Sequence, residues 1–143
     1  MTVAAILSGK GRDVMTISVE TRIDQAVQIL AERRIGALVV VDDRRHILGI
    51  VSERDIVRAL ARFGPSGLDG PVSSIMTARV VTCGETDTIN QVMERMTEGR
   101  FRHLPVVDDG RLAGIISIGD VVKARIEQVV REAEEMRAYI AMA

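Results

Sequence analysis

The chain has 143 residues and a mass of 15.6 kDa, enough for one ordinary domain or for two small ones that share a core. Apolar residues make up 47% of the sequence and charged residues 27%, a balance typical of a globular protein. The net charge of −1 provides no overall field that would attract nucleic acid or an anionic membrane. The composition thus excludes a large multidomain enzyme and favours small ligands bound at local sites.

The chain begins MTVAAIL, which lacks the basic region and the long apolar run of a signal peptide. No stretch reaches the ~18–20 apolar residues that a bilayer span requires. A cytoplasmic protein without a membrane partner is therefore expected. The single cysteine, Cys83, excludes an internal disulfide framework, and the two histidines lie too far apart to predict a metal site.

In the first half of the chain, apolar residues at helical spacing predict a helix. These residues are Ile23, Ala26, Val27 and Leu30. The runs ALVVVDD and HILGIVS, joined by an Asp-rich turn, predict a hairpin, and Ser52 opens a second helix. The Gly- and Pro-rich stretch RFGPSGLDGP at 62–71 is then predicted to be a linker.

The second half repeats this order. A helix is predicted from Ile89, Val92, Met93 and Met96, a hairpin from HLPVVDD and RLAGIIS, and a further helix from Ser117 onward. Three stretches align between the halves: 3–7 with 72–76, 14–30 with 80–96, and 35–60 with 101–126. An internal repeat of about 65 residues predicts units that bury their apolar faces against one another.

The predicted fold is α/β (α+β), with two β-α-β-β-α repeats. The first repeat is assigned to 1–61, the linker to 62–71, the second repeat to 72–126 and a helical extension to 127–143.

The last helix is longer than its counterpart in the first repeat and carries apolar residues at alternating intervals of four and three, a heptad pattern. These are Val122, Ile126, Val129, Ala133, Met136 and Ile140. Charges of alternating sign lie on another face, as on an exposed helix surface: Lys123, Glu127, Arg131 and Glu135. The pattern fits either a helix folded over its own core or a contact between subunits. We favour the second and expect a homodimer.

The heptapeptide GIVSERD at 49–55 returns as GIISIGD at 114–120. Ser-x-x-Asp before an apolar run is typical of a helix-capping box, which is the alternative to a ligand site. A helix N-terminus also binds phosphate, and an aspartate one turn later suits the two hydroxyls of a ribose. With no Trp, one Tyr and two Phe, the base is expected to lie against aliphatic side chains such as Ile17, Leu38 or Leu104 and against strand backbone.

The two motifs, together with VMT, VVT, ALVVVDD and RHLPVVDD, resemble a tandem pair of cystathionine-β-synthase (CBS) domains, called a Bateman module. The resemblance extends over 1–126. It implies two repeats related by a pseudo-twofold axis, with two clefts between them. It also implies an adenosine ligand, namely AMP, ADP, ATP, S-adenosylmethionine or NAD(H), bound as a signal rather than as a catalytic cofactor.

Several positions are carried over from the resemblance as ligand-binding residues. Ser52 and Asp55 would serve one cleft, and Ser117 and Asp120 the other. Thr16 and Thr82, with the residues that follow them, would meet the adenine or the ribose. The full set is Thr16, Ile17, Leu38, Ser52, Arg54, Asp55, Thr82, Cys83, Arg102, His103, Leu104, Pro105, Ser117 and Asp120.

The two repeats are not equivalent at these positions. Arg102 and His103 stand where the first repeat has Gly36 and Ala37, and the first repeat alone has Arg54 in its motif. Arg102 and His103 are expected to contact phosphate, and unequal affinities are expected for the two clefts. Surface charge is the alternative role for Arg54 and Arg102, and strand packing is the alternative for His103. The cleft that each serves stays open.

The preferred function is an adenine-nucleotide sensor that relays ligand binding to an unidentified protein partner through a conformational or assembly change. The alternative is a structural or interaction module with the same fold and no ligand. An enzyme is not expected, because the sequence has no nucleophile–base pair, metal cluster or paired catalytic carboxylates. Nucleic acid is not expected as a partner, because basic stripes with interleaved aromatic residues are missing.

Overall fold

Two similar sets of helices and strands follow one another along the chain in the computed structural model, which describes residues 1–142. The helices are α1 (Val3–Lys10), α2 (Ile23–Arg33), α3 (Glu53–Phe63), α4 (Ile89–Gly99) and α5 (Ile118–Met142). The strands are β1 (Thr16–Ile17), β2 (Ala37–Val41), β3 (Ile47–Ser52), β4 (His103–Asp108) and β5 (Arg111–Ser117). Two short 3₁₀ helices, Gly64–Leu68 and Val72–Ser74, lie between the sets. The predicted mixed fold of two repeats is confirmed.

Each set contains one small sheet built around a hairpin. We call the set β1, α2, β2, β3 and α3 the first unit, and the set α4, β4, β5 and α5 the second unit. In the first unit, β1 pairs in parallel with β2, and β2 pairs antiparallel with β3. In the second unit β4 pairs antiparallel with β5, and Cys83 forms a single parallel bridge to Val106 at the place that β1 has in the first unit. Both hairpins have a register shift at the same point, between Val40 and Val41 and between Val106 and Val107. The repeat in the sequence is thus a repeat in backbone structure.

The segment before each unit packs into the core of the other unit. Helix α1 contributes Val3, Ile6 and Leu7 to the second core, beside residues of α4, β4 and β5. The corresponding segment 72–77 packs Val72 and Met76 against the first core. We call α1 and residues 72–77 the exchanged segments. Because each closes the core of the other unit, the two units interlock.

The motif glycines make this exchange possible. A Cβ atom at Gly114 would lie 2.9 Å from a Leu7 methyl carbon, and one at Gly49 would lie 2.5 Å from the Met76 sulfur. The Thr77 backbone is also tied to β3, since the Ile50 and Thr77 amides each donate to the other residue's carbonyl at 3.0 and 2.9 Å. Glycine at these positions therefore serves close packing of the exchanged segments.

Helix α5 extends well beyond the second core. Val121 and Ala124 are buried, but the apolar heptad residues are exposed. Val122, Ile126, Val129, Met136 and Ile140 have 48–65% of their surface exposed. The helix is therefore not folded over its own core after Ala124.

Candidate functional site

The serine and aspartate of each motif form a capping box at the start of a helix. In the first unit the Ser52 amide donates to the Asp55 carboxylate at 2.8 Å, and the Asp55 amide donates to the Ser52 hydroxyl at 3.4 Å. In the second unit the matching bonds between Ser117 and Asp120 are 2.9 and 3.1 Å. Both pairs are only half-buried. The capping role is therefore present in both units and leaves the side chains partly open to a ligand.

Outside the capping box, each motif carboxylate has one more partner, and the two partners differ. Each partner comes from an exchanged segment. Asp55 accepts a hydrogen bond from the Thr77 hydroxyl at 3.3 Å. Asp120 is paired with the Lys10 ammonium at 2.7 Å. Burial raises the pKa of Asp120, but the hydrogen bonds from Lys10 and Ser117 outweigh it and hold the pKa below its ordinary value. Asp120 therefore stays ionised at neutral pH.

A cleft of about 810 Å³ lies between the two units, beside Ser117. Its volume is in the range of small-molecule sites, about 300–1,000 Å³. Both units contribute to its wall. It is lined by Lys10, Arg12, Asp13, Val14, Met15, Arg33, Arg34, Ile35, Gly36, Ala37, Arg45, His103, Ile115 and Ser117.

The wall of this cleft is strongly cationic. Five lysine and arginine side chains line it against one carboxylate, that of Asp13. Arg12 is paired with Glu85, and Arg45 donates to the Leu112 carbonyl at 3.4 Å across the interface between the units. Among the described residues, Arg33 and Arg34 form no ion pair with a carboxylate. A protein with a net charge of −1 thus presents a local site for an anion.

These cations were missed by the sequence reasoning. Lys10, Arg12, Arg34 and Arg45 come from the end of α1, the loop after it, the end of α2 and the β2–β3 turn. None belongs to the repeated motif. One signal was available in the sequence. When the alignment of 3–7 with 72–76 is continued, Lys10 pairs with Arg79, so both repeats have a basic residue at this position.

His103 both packs and lines the cleft. A Cβ atom at Gly36 would lie 2.8 Å from the imidazole Cε1, so the ring fits only because residue 36 is glycine. Burial lowers the pKa of His103, so the neutral ring predominates at neutral pH. It can therefore exchange a hydrogen bond with a ligand but does not add a positive charge.

Five predicted residues are buried and do not line the cleft. Leu38 and Leu104 are completely buried, each in its own unit's core. Ile17, Cys83 and Pro105 are also buried. Alternation along β2 and β4 directs Leu38 and Leu104 toward the cores, whereas Pro105, the next residue of β4, lies on the opposite face of its sheet. Burial also raises the pKa of Cys83 to about 12, which keeps the thiol protonated.

The predicted threonines are half-buried and lie outside the cleft wall. Thr16 lines a second cavity, of about 550 Å³, between β1 and α2. The Thr82 carbonyl accepts a hydrogen bond from Arg95 at 3.3 Å.

Arg54 and Arg102 also lie outside the cleft wall. Arg54 donates to the Arg100 carbonyl at 2.5 Å and so links α3 of the first unit to the end of α4 in the second. Arg102 is exposed, and its carbonyl accepts from the Ile118 amide at 2.8 Å. The cleft beside Ser117 draws its positive charge from other residues. Of the three residues left open by the sequence, only His103 lines it.

The family model for the CBS domain matches this chain twice, at residues 10–62 and 72–127. The chain belongs to the CBS domain family, and its two repeats form a CBS domain pair. A crystal structure of a CBS-domain containing protein from Agrobacterium tumefaciens is similar to it, with 51% identity and a TM-score of 0.85, covering 87% of this chain and 99% of that one.

Two similar solved structures contain adenosine compounds. A CBS domain protein from Pyrobaculum aerophilum, complexed with AMP, is 29% identical with a TM-score of 0.74, over 84% of this chain and 89% of that one. The CBS domain pair of protein MJ0100, in complex with 5′-methylthioadenosine and S-adenosyl-L-methionine, is 28% identical with a TM-score of 0.78, over 90% of this chain and 98% of that one. CBS domain proteins similar to this chain thus include ones that bind adenosine compounds.

Two further features concern residues 1–142 only. No helix in this part of the chain is both long and apolar enough to cross a membrane. Nor do its His, Cys, Asp and Glu side chains form a group of three or more that could hold a metal ion.

Proposed function

We propose that this protein is an adenine-nucleotide sensor that binds its ligand in the cleft beside Ser117. The observation that carries the proposal is the cationic cleft wall at the start of α5. The partial positive charge at a helix N-terminus and several arginines together suit a phosphate group, which neither would bind as well alone. AMP, ADP and ATP fit this description, and AMP in the Pyrobaculum structure supports it.

Each part of the ligand has matching groups in the cleft wall or in contact with it. The Ser117 hydroxyl and the partly positive start of α5 suit a phosphate or ribose oxygen, and the Asp120 carboxylate, which is paired with the wall residue Lys10, suits a ribose diol. Aliphatic side chains of the wall, namely Val14, Met15, Ile35 and Ile115, offer the base an apolar surface. S-adenosylmethionine and NAD(H) share the adenosine part but carry a different charge distribution, and we rank them below the nucleotides.

The proposed output runs through α5. Its N-terminus lies at the cleft, and its exposed heptad residues lie on the same continuous helix. We propose that this face pairs with α5 of a second copy, since heptad spacing is the pattern of helix-to-helix association. Ligand binding would then shift the relation between subunits and be sensed by a protein partner. We propose no catalytic role, and a cytoplasmic location stays a prediction.

A structural module without a ligand is the second candidate. One observation favours it, because both motif carboxylates already have partners inside the protein, Thr77 for Asp55 and Lys10 for Asp120. The two candidates differ in whether purified protein binds adenine nucleotides at all.

The test is calorimetry of the purified chain with AMP, ADP, ATP and S-adenosylmethionine, repeated on Asp120→Asn. Binding of a nucleotide, weakened about tenfold or more by Asp120→Asn, supports the sensor, since a hydrogen bond to a charged group contributes about 1.5–3 kcal/mol. Asp109→Asn is the matched control, because Asp109 is exposed in the β4–β5 turn at a φ of 51°, which asparagine also adopts. No binding by any of the four compounds would support the ligand-free module.

The assembly is tested by light scattering. Val129→Glu combined with Met136→Glu should lower the mass from that of a dimer to that of a monomer, because charge in the heptad seam opposes pairing. Glu134→Gln, an exposed change on the same helix, is the control. A dimer that survives the double substitution would place the interface elsewhere.

A further inference from the structure

Lys10 occupies a position that a ligand of the cleft would need. Its ammonium donates to Asp120 Oδ2 at 2.7 Å and to the Ile115 carbonyl at 2.9 Å. The same Oδ2 also accepts from the Ser117 amide at 2.9 Å. Lys10 itself lines the cleft. The carboxylate suited to a ribose diol is thus already paired with a side chain of the cleft wall.

The position of Lys10 is fixed by the fold. It is the last residue of α1, and Val3, Ile6 and Leu7 of that helix are buried in the second core. The backbone at Lys10 is therefore held near Asp120, while its side chain is one-third exposed and has the length to turn into the cleft. A ligand that binds Asp120 therefore displaces the Lys10 side chain, while the backbone of α1 keeps its position.

The consequence depends on whether the ligand carries a phosphate. A nucleoside whose ribose hydroxyls bind the Asp120 carboxylate would break the ion pair between Lys10 and Asp120. The Lys10 ammonium would then lie without a carboxylate partner in a cleft wall that also contains Arg12, Arg34 and Arg45. Like charges close together destabilise that state. A nucleotide supplies a new anion in the same cleft, so Lys10 can leave Asp120 and bind the phosphate.

The other unit has a different arrangement. Asp55 accepts from the neutral Thr77 hydroxyl, which a diol can replace without stranding a charge. Arg79, which aligns with Lys10, forms no ion pair with a carboxylate within the described part of the chain. An ion pair between a lysine and the motif aspartate is therefore found only at the cleft beside Ser117, within the described part of the chain.

We propose that Lys10 exchanges Asp120 for the phosphate of a bound nucleotide and so makes this cleft select phosphorylated ligands over the corresponding nucleosides. The proposal rests on the proposed function and adds its specificity-determining residue. Lys10 lies outside the repeated motif and acts as a displaceable internal partner of Asp120.

The test measures the affinities of adenosine, AMP and ATP by calorimetry for Lys10→Met, with Asp55→Asn in every variant to weaken the other cleft. Lys10→Met should bind adenosine more tightly and AMP more weakly, so that the ratio of AMP to adenosine affinity falls about tenfold or more. Lys10→Arg should restore most of the ratio. Arg79→Met is the matched control and should leave it unchanged.

The outcomes separate this proposal from the proposed function. If the Asp55→Asn parent binds AMP and Lys10→Met has the same affinity ratio, Lys10 does not select phosphate and only the further proposal is overturned. If the wild-type chain and the parent bind none of the three compounds, both proposals are overturned. Circular dichroism and thermal melting of each variant identify loss of fold, and Lys10→Gln replaces Lys10→Met if the methionine variant is unfolded.

Discussion

The two units share a backbone but differ in what holds their motif aspartates. Asp55 is met by the hydroxyl of Thr77 and Asp120 by the ammonium of Lys10. Neither partner lies in the repeated heptapeptide, and both come from the exchanged segments. Two copies of the same Gly-x-x-Ser-x-x-Asp motif therefore hold their aspartates differently, because the segment that enters from the other unit differs.

The exchanged segments also differ in how firmly they are packed. Leu7 is 1% exposed and lies against Gly114 in the second core. Met76, its counterpart, is only partly buried, although the Thr77 backbone after it is bonded to β3. Helix α1 is bonded through its backbone as well, since the Val3 and Ala4 amides donate to the Asp87 and Glu85 carbonyls at 2.9 Å. The two segments therefore differ in the burial of Leu7 and Met76 rather than in the presence of backbone hydrogen bonds.

Truncation of these two side chains should have the largest effect. Leu7→Ala is expected to lower the free energy of unfolding by about 2–5 kcal/mol, because it leaves a cavity in a closed core. Met76→Ala should lower it by less, since Met76 is half-buried whereas Leu7 is enclosed in its core. Urea unfolding followed by circular dichroism measures both. Equal losses would show that the two exchanged segments are held alike.

The partners of the aspartates should give a smaller contrast. Asp120→Asn removes the ion pair with Lys10 and is expected to lower the free energy of unfolding by about 0.5–1 kcal/mol, the range for partly exposed pairs. Both aspartates also accept from the capping serine, but at Asp55→Asn the partner outside the capping box is the neutral Thr77 hydroxyl, so this substitution should cost less. Thermal melting at low and high salt measures the difference, which should shrink as salt screens the pair. A larger loss for Asp55→Asn would contradict the assignment.

His103 should give the smallest effect, seen as a dependence of stability on pH. Burial lowers its pKa in the folded state, so the unfolded state binds more protons below the ordinary value of 6.5. The free energy of unfolding should fall as the pH is lowered from 7 toward 5. Asp120 does not contribute in that window, because its folded pKa lies below 3.8.

His103→Ala, which copies Ala37 of the first unit, should flatten this slope. The measurement is urea unfolding at several pH values for wild type and variant. His46→Gln, the change at the other histidine, tests whether the slope belongs to His103. A slope that survives His103→Ala but is lost in His46→Gln would refute the assignment.

The local structure of both units could be predicted from the sequence. Helical spacing placed α2 and α4, β-branched runs placed the two hairpins, and Ser-x-x-Asp marked the starts of α3 and α5. These signals are local, since each depends on residues within one or two turns or along one strand. The alignment of 3–7 with 72–76 was visible as well, but which core each segment enters is a tertiary property.

The cleft could be predicted only in part. Of the candidate residues, Ser117 and His103 line it. Its cations converge from α1, the end of α2 and the β2–β3 turn, so no spacing in the sequence connects them. Leu38 and Leu104 were expected near the base and are core residues, because an apolar strand residue has the same sequence pattern on either face of a covered sheet. Unequal affinities were predicted from Arg102 and stay a prediction, whereas the structural difference between the two motifs lies at Lys10 and Thr77.

The exchanged segments have a consequence for how such a chain arises by gene duplication. In a chain with a single repeat, the exchanged segment would have no second unit of the same chain to pack into. Its core would be closed only in a symmetric dimer, in which each chain packs its exchanged segment into the core of the other. Fusion of the two copies removes the symmetry requirement. Each exchanged segment can then mutate independently, so a lysine in one repeat does not require a lysine in the other.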